Sequence, residues 1–210
     1  MPFYISQIII PNCDYKRFEE IALANSHCRM NLIQGTLEIM PPVSNDTDQR
    51  KANIICDVVI WCRANANLVG HFGASRGCYT LSNTVNDSKP TILGPDASIV
   101  LSTRWNALSD DKQKSYPPVV PNFVVELRSQ SQSPQDFHKK MLLWMNGGVE
   151  EGIAIDRYAN PREVRIYTFN PNTNSVEWQT LTNPTHVASQ VLTGFDFEEN
   201  LEGILGIGTA

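Results

Sequence analysis

Two acids set into apolar runs constrain this chain of 210 residues more than any other feature. Asp96 stands in Gly94-Pro95-Asp96-Ala97-Ser98-Ile99-Val100, and Glu126 in Phe123-Val124-Val125-Glu126-Leu127-Arg128-Ser129. Both runs have the length and the β-branched content of buried strands. A carboxylate carried into a core by such a strand is unfavourable unless it is paired or bound to a cation. Any fold that accepts these strands must therefore bring positive charge to Asp96 and Glu126.

The rest of the chain reads as α/β. Asp14 to Asn25 sets Phe18, Ile21 and Leu23 among charged residues, an amphipathic helix. Met30 to Met40 reads as a hairpin hinged at Gly35, and Pro41 to Asp46 as a polar loop ending in helix caps. From Asp46 to Leu68, Ile54, Ile55, Val58, Val59 and Cys62 recur at helical spacing, with Asp57 and Arg63 outside. Val69 to Leu81 is Gly-punctuated and predicts one or two strands, and Asn83 to Pro90 a loop. Ala97 to Leu101 is a short buried strand, Arg104 to Leu108 a helical turn and Ser109 to Ser115 a polar loop.

Pro117, Pro118 and Pro121 impose an extended entry to the Phe123–Leu127 strand. Ser133-Pro134 then caps a helix running through Trp144, with Asn146-Gly147-Gly148 as its stop. Val149 to Asp156, Val164 to Phe169, Val176 to Leu181 and Ser189 to Leu192 predict further strands, with a hairpin turn at Asn170 to Asn174. Helices against a mixed sheet follow, in a single domain spanning 1–210.

With 41% hydrophobic and 19% charged residues, the composition is that of a globular protein. No apolar run is long enough for a membrane helix, and Met1-Pro2-Phe3-Tyr4 lacks a signal-peptide layout. A cytoplasmic location without membrane association is expected. The five cysteines are scattered with no C-x-x-C pair, which predicts free thiols. His27, His71, His138 and His186 have no ligand spacing. A net charge of −5 argues against broad, non-specific nucleic-acid binding but allows a local basic cleft.

If their strands are neighbours, Asp96 and Glu126 supply the two carboxylates that a magnesium ion usually takes, together with water and phosphate oxygens. Such an ion activates water and neutralises charge on a scissile phosphate. Two groups compete for an accompanying cationic role. Arg128 lies two residues after Glu126, on the same face of a strand. Lys140 lies on the following helix and can reach back, whereas Lys139, about 100° around, faces solvent. Taken alone, Asp96 after proline is more often a turn or cap residue than a ligand, and Glu126 more often a partner for Arg128 or a neighbouring arginine. Arg104-Trp105 reads as packing or a cation–π contact, Trp61 and Trp144 as core, and Asp156 as a strand-end turn residue.

The ordered set Pro95-Asp96-Ala97-Ser98, Arg104-Trp105, Pro121 to Ser129, Lys140-Met141, Asn146-Gly147-Gly148 and Ile155-Asp156 resembles the Uma-two family of restriction-endonuclease-like proteins. That family lies within the PD-(D/E)XK nuclease-like superfamily. The resemblance runs from about Met30 to Tyr167 and implies a nuclease-like core over about 30–170, with the N-terminal helix and C-terminal strands packed on it. It implies a restriction-endonuclease-like fold: a central mixed β-sheet flanked by helices.

By the same resemblance Asp96 and Glu126 are metal-binding acids, Lys140 is the helix lysine and Arg128 occupies the E-x-K lysine position. Magnesium (or manganese) is the implied cofactor and DNA the implied substrate, with a homodimer serving two strands. A catalytically degenerate module that binds nucleic acid or a protein partner is the alternative. The family often has Glu where this chain has Asn31, an aromatic where Ile153 stands and Tyr where Trp144 stands. Glu38, on the second hairpin strand, is the candidate replacement for the missing acid.

Overall fold

The computed structural model describes residues 7–81, 89–197 and 201–206. In chain order its first strands and helices are β1 (Ile8–Ile10), α1 (Tyr15–Ala24), β2 (Arg29–Ile33), β3 (Thr36–Met40), α2 (Asn45–Ala64), β4 (Val69–Ala74), β5 (Tyr79–Thr80), β6 (Ile92–Leu93) and β7 (Ala97–Leu101). There follow α3 (Ser102–Trp105), α4 (Asp110–Gln113), β8 (Phe123–Leu127), α5 (Pro134–Asn146), β9 (Glu151–Asp156), β10 (Glu163–Asn170), β11 (Ser175–Thr182) and α6 (Leu201–Leu205).

The chain makes two sheets. The larger has six strands in the order β11-β10-β9-β8-β7-β4, the smaller five in the order β1-β3-β2-β6-β5. All pairs are antiparallel except β8 with β9, which run parallel with α5 as the crossover between them. Strand β8 is buried along its whole length. Its alternation divides two cores: Phe123, Val125 and Leu127 pack with Ile54, Val58 and Trp61 of α2, while Val124 packs with Met141, Trp144 and Met145 of α5. By the same alternation Glu126 faces α5.

Local signals start and stop these elements as the sequence predicts. Asp14, Ser44 and Ser133 each accept a backbone N–H in the first turn of α1, α2 and α5. Gln34 and Gly35, at φ +49° and +76°, form the two-residue turn of the β2–β3 hairpin. One face of that hairpin, with Met30, Leu32 and Leu37, packs on Phe18 of α1. The opposite face carries Arg29, Asn31 and Glu38.

Several expectations are corrected. Ser189 to Leu192 is not a strand: Ser189 Oγ donates to the buried carboxylate of Glu151, Gln190 N–H donates to it at 2.9 Å, and the chain bends around it. Side-chain-to-backbone bonds here replace a ladder. Ser109 to Ser115 holds the short helix α4, with Asp110 and Asp111 at its positive end. The second helix ends at Ala64 rather than Leu68, and the turn around Arg104 begins at Ser102. Residues 83–88 of the expected Asn83–Pro90 loop lie outside the described residues. Strands β1 and β6 and helix α6 have no counterpart in the sequence reading. All five cysteines are free. Among the described residues no helix is long and apolar enough to cross a membrane.

The turn after α2 brings β4 hard against α3. A Cβ at Gly70 would lie 2.3 Å from Trp105 Cβ and 3.0 Å from Ser102 Cα. At Gly152, where α5 crosses β9, the nearest atom is the flexible end of Met141 at 2.6 Å. Gly70→Ala should therefore cost about 1–3 kcal/mol in urea unfolding and Gly152→Ala less, because only the second neighbour can swing aside.

Candidate active site

Asp96 and Glu126 lie where the two sheets meet, Asp96 in the bend just before β7 and Glu126 within β8. Proline at 95 ends the preceding segment, and the Asp96 N–H donates to Val125 O at 3.1 Å, which fixes the acid beside β8. Its Oδ2 accepts the Leu127 N–H at 2.8 Å, and Oδ1 receives Arg29 at 2.7 Å and Lys51 at 2.8 Å. Burial alone would raise this carboxyl, but the charges of Arg29, Lys51 and Lys140 outweigh it and hold it well below the usual carboxylate range. The stabilisation from these pairs is complete above the unfolded value of about 3.9 and is lost only as pH falls through the depressed folded value.

Glu126 projects toward α5, as its place in the alternation requires. Lys140 and Trp144 sit one turn apart on that helix, so both reach the same oxygen: Lys140 Nζ is 2.6 Å and Trp144 Nε1 2.9 Å from Oε1. The indole thus has a structural role beyond filling the core. The Glu126 Oε2 lies 3.8 Å from Arg29 Nη2. The cation that the two acids share is therefore the guanidinium of Arg29. Burial pulls the Lys140 ammonium below its ordinary value, against the attraction of Glu126.

Gly94 closes the site. Its carbonyl accepts from Arg29 at 2.9 Å and Lys140 at 3.4 Å, and its N–H donates to Asn31 Oδ1 at 3.0 Å. Asn31 is thus committed to holding the backbone beside Asp96. Its cross-strand partner is Glu38, so the two share a face and the alternation that separates neighbours along a strand does not separate them. Glu38 is half-buried; burial raises its pKa, and Lys140 and Asp136 are the charges that act on it. Cys78 also borders the cluster, but burial pushes its thiol up to about 11, which leaves no thiolate nucleophile at neutral pH.

Arg128 is not brought to the acids. Its Nε is 2.7 Å from Asp156 Oδ1 without the alignment of a hydrogen bond, its Nη1 donates to Gln132 O at 2.7 Å, and the guanidinium lies over Tyr158. Asp156 also accepts the N–H groups of Tyr158 and Ala159, the strand-end turn that its position predicts. Arg104 likewise serves structure: it pairs with Glu150, while Trp105 stacks on His71 at 4.4 Å. Arg29 and Lys51 are not among the sequence-predicted site residues. Arg29 opens the hairpin strand two residues before Asn31, and strand alternation puts both on one face, a usable signal. Lys51, in the polar stretch of α2, carried none.

Residues 14–202 match the sequence profile of the Uma2 family, described as "Putative restriction endonuclease". The chain belongs to this family. Among solved structures it is similar to that of a "putative nuclease belonging to DUF820" from Anabaena variabilis ATCC 29413. The TM-score is 0.62 at 15% identity, covering 84% of this chain and 90% of that one. At that identity the likeness is one of fold, and the fold of this Uma2 chain is nuclease-like. No curated protein matches it.

Two oxygen-donor carboxylates on adjoining strands are what magnesium usually takes from a protein, so the donor set fits a hard divalent cation. Among the described residues no group of three or more His, Cys, Asp and Glu side chains is arranged to hold a metal. Glu38 supplies a test of how the site acts on stability. Its pKa is raised, so the folded state disfavours the ionised form. The cost appears as pH rises above the unfolded value of about 4.3 and persists above the folded one. Glu38→Gln should raise the denaturation midpoint near pH 7 and leave it unchanged near pH 3, where the carboxyl is protonated in both states.

Proposed function

We propose that this Uma2 chain hydrolyses phosphodiester bonds of DNA at the centre formed by Asp96, Glu126 and Lys140, with magnesium or manganese bound. The observation that carries the proposal is a buried lysine 2.6 Å from one of two acids that both pair with Arg29, in a chain of a family described as "Putative restriction endonuclease". Asp96 and Glu126 would hold the metal, with Glu38 as a further acid on the same side. When bound, the ion lowers the pKa of a water and offsets charge on the phosphate.

The protein's own groups account for the remaining work. Leu127 N–H and Trp144 Nε1–H fix one oxygen of each acid, so neither carboxylate reorganises as the reaction proceeds. The Lys140 ammonium, tethered to Glu126 and Gly94 O, is placed to orient the attacking water and to stabilise negative charge building on phosphorus. Hydrolysis forms a bond from the water oxygen to phosphorus, breaks the bond to the departing sugar oxygen, and leaves a proton on that oxygen. Cutting both strands of a duplex calls for two such centres, consistent with a two-fold dimer.

A second reading, a nuclease-fold module that binds nucleic acid without cutting it, draws support from Arg29 and Lys51 on Asp96 and from the amide at Asn31. Nicking of supercoiled plasmid separates the two. With magnesium or manganese the wild type should nick, and Asp96→Asn, Glu126→Gln and Lys140→Met should each slow nicking about 10²–10³-fold. Retention of DNA in a gel shift with no nicking under either ion would leave the binding module. Arg128→Met should instead cost about 3–5 kcal/mol of stability by stranding Asp156, and reduce nicking only through the folded fraction.

A further inference from the structure

The cluster is layered. The carboxylates of Asp96 and Glu126 are 2% and 3% exposed, whereas Arg29, Lys51 and Lys140 above them are 18%, 11% and 11% exposed. Solvent meets the cations first and the acids only behind them. Three cations face two carboxylates, and even an ionised Glu38 only evens the count. Among the described residues no excess negative charge remains at the cluster to draw in a divalent ion. One that entered would bring two buried positive charges beside three others, or would have to displace Arg29 and Lys51 from Asp96. Moreover, Arg29 Nε is buried without an acceptor, so its guanidinium is incompletely satisfied by the two acids and Gly94.

A phosphodiester changes this balance. It brings one negative charge and free oxygens to the exposed side, where a guanidinium and an ammonium are suited to receive them. Each cation that turns to phosphate leaves Asp96 with uncompensated charge. We propose that Arg29 and Lys51 are resident counter-ions that keep Asp96 closed to metal until a nucleic-acid phosphate draws them off, so that DNA binds first and the divalent ion second. The inference rests on the metal-dependent reading above and adds an order of binding to it. The coupling is reciprocal: metal must tighten DNA binding by the factor with which DNA tightens metal binding.

The test is manganese binding, followed by electron paramagnetic resonance on the full chain, alone and with a short duplex carrying hydrolysis-resistant phosphorothioate linkages. The same duplex without protein subtracts manganese held by the DNA itself. The wild type should bind manganese at least about tenfold more tightly with DNA than without. Lys51→Met should raise the affinity of the free chain, Lys51→Arg should not, and adding Asp96→Asn to Lys51→Met should abolish the gain.

Equal manganese affinity of the wild type with and without DNA overturns the gate and, if plasmid is nicked, leaves the nuclease reading standing. No manganese binding in either state, with no nicking, overturns both. The wild-type comparison requires no variant to fold.

Discussion

A single carboxylate ties this structure together. Asp96 Oδ2 takes the backbone N–H of Leu127 and so binds β7 to β8, while Oδ1 takes Arg29 from the small sheet and Lys51 from α2. Four elements meet on two oxygens. Removing the acid would strand two buried cations, an imbalance that costs about 3–5 kcal/mol when one partner of such a pair is lost. The position of the hairpin relative to the large sheet, and of α2 across it, depends on that charge as much as on apolar contact. The same dependence explains why the acid is buried at all: it sits at the junction because the junction is built around it.

Burial and charge oppose one another within the cluster. Lys140 is held in a place where burial opposes its charge, and Glu38 in one where burial opposes its ionisation. In both, burial works against the charged form of the side chain. The indole of Trp144 and the backbone of Leu127 limit that cost by giving each acid a fixed neutral donor. Fixed donors also keep the acids in place if their cations move, which an exchange of partners at the site would require.

The longer helices and most strands were legible because their signals are local. Ser133-Pro134 and Gly147-Gly148 bracket α5, and the alternation of β8 assigns Glu126 to the α5 face before any contact is known. Lys140 pairs with Glu126, and Arg29 joins Glu126 to Asp96. What sequence could not supply was partner choice over long separations. Arg29 and Asp96 are 67 residues apart, and nothing in Arg29-Met30-Asn31 names its partner. Arg128 shows the converse error: i, i+2 spacing put it beside Glu126, but it stands at the strand end, where the chain leaves the ladder and Asp156 of β9 offers a nearer charge. Two-residue strands such as β6 have too few residues for any periodicity to register.

Asn31 shows how an apparent departure from a family's pattern can be absorbed by the sheet. As an amide it accepts the Gly94 N–H, and Gly94 in turn presents its carbonyl to Arg29 and Lys140. A carboxylate at 31 would add a third buried negative charge to the inner layer, where Asp96 and Glu126 already need three cations. Directly across the ladder, Glu38 carries its carboxyl on the same face but half-exposed, where water shares the cost of ionisation. Moving the acid by one cross-strand step keeps it on the site's side while relieving the interior. The hairpin register makes that exchange possible, since a one-residue slip would turn Glu38 to the opposite face.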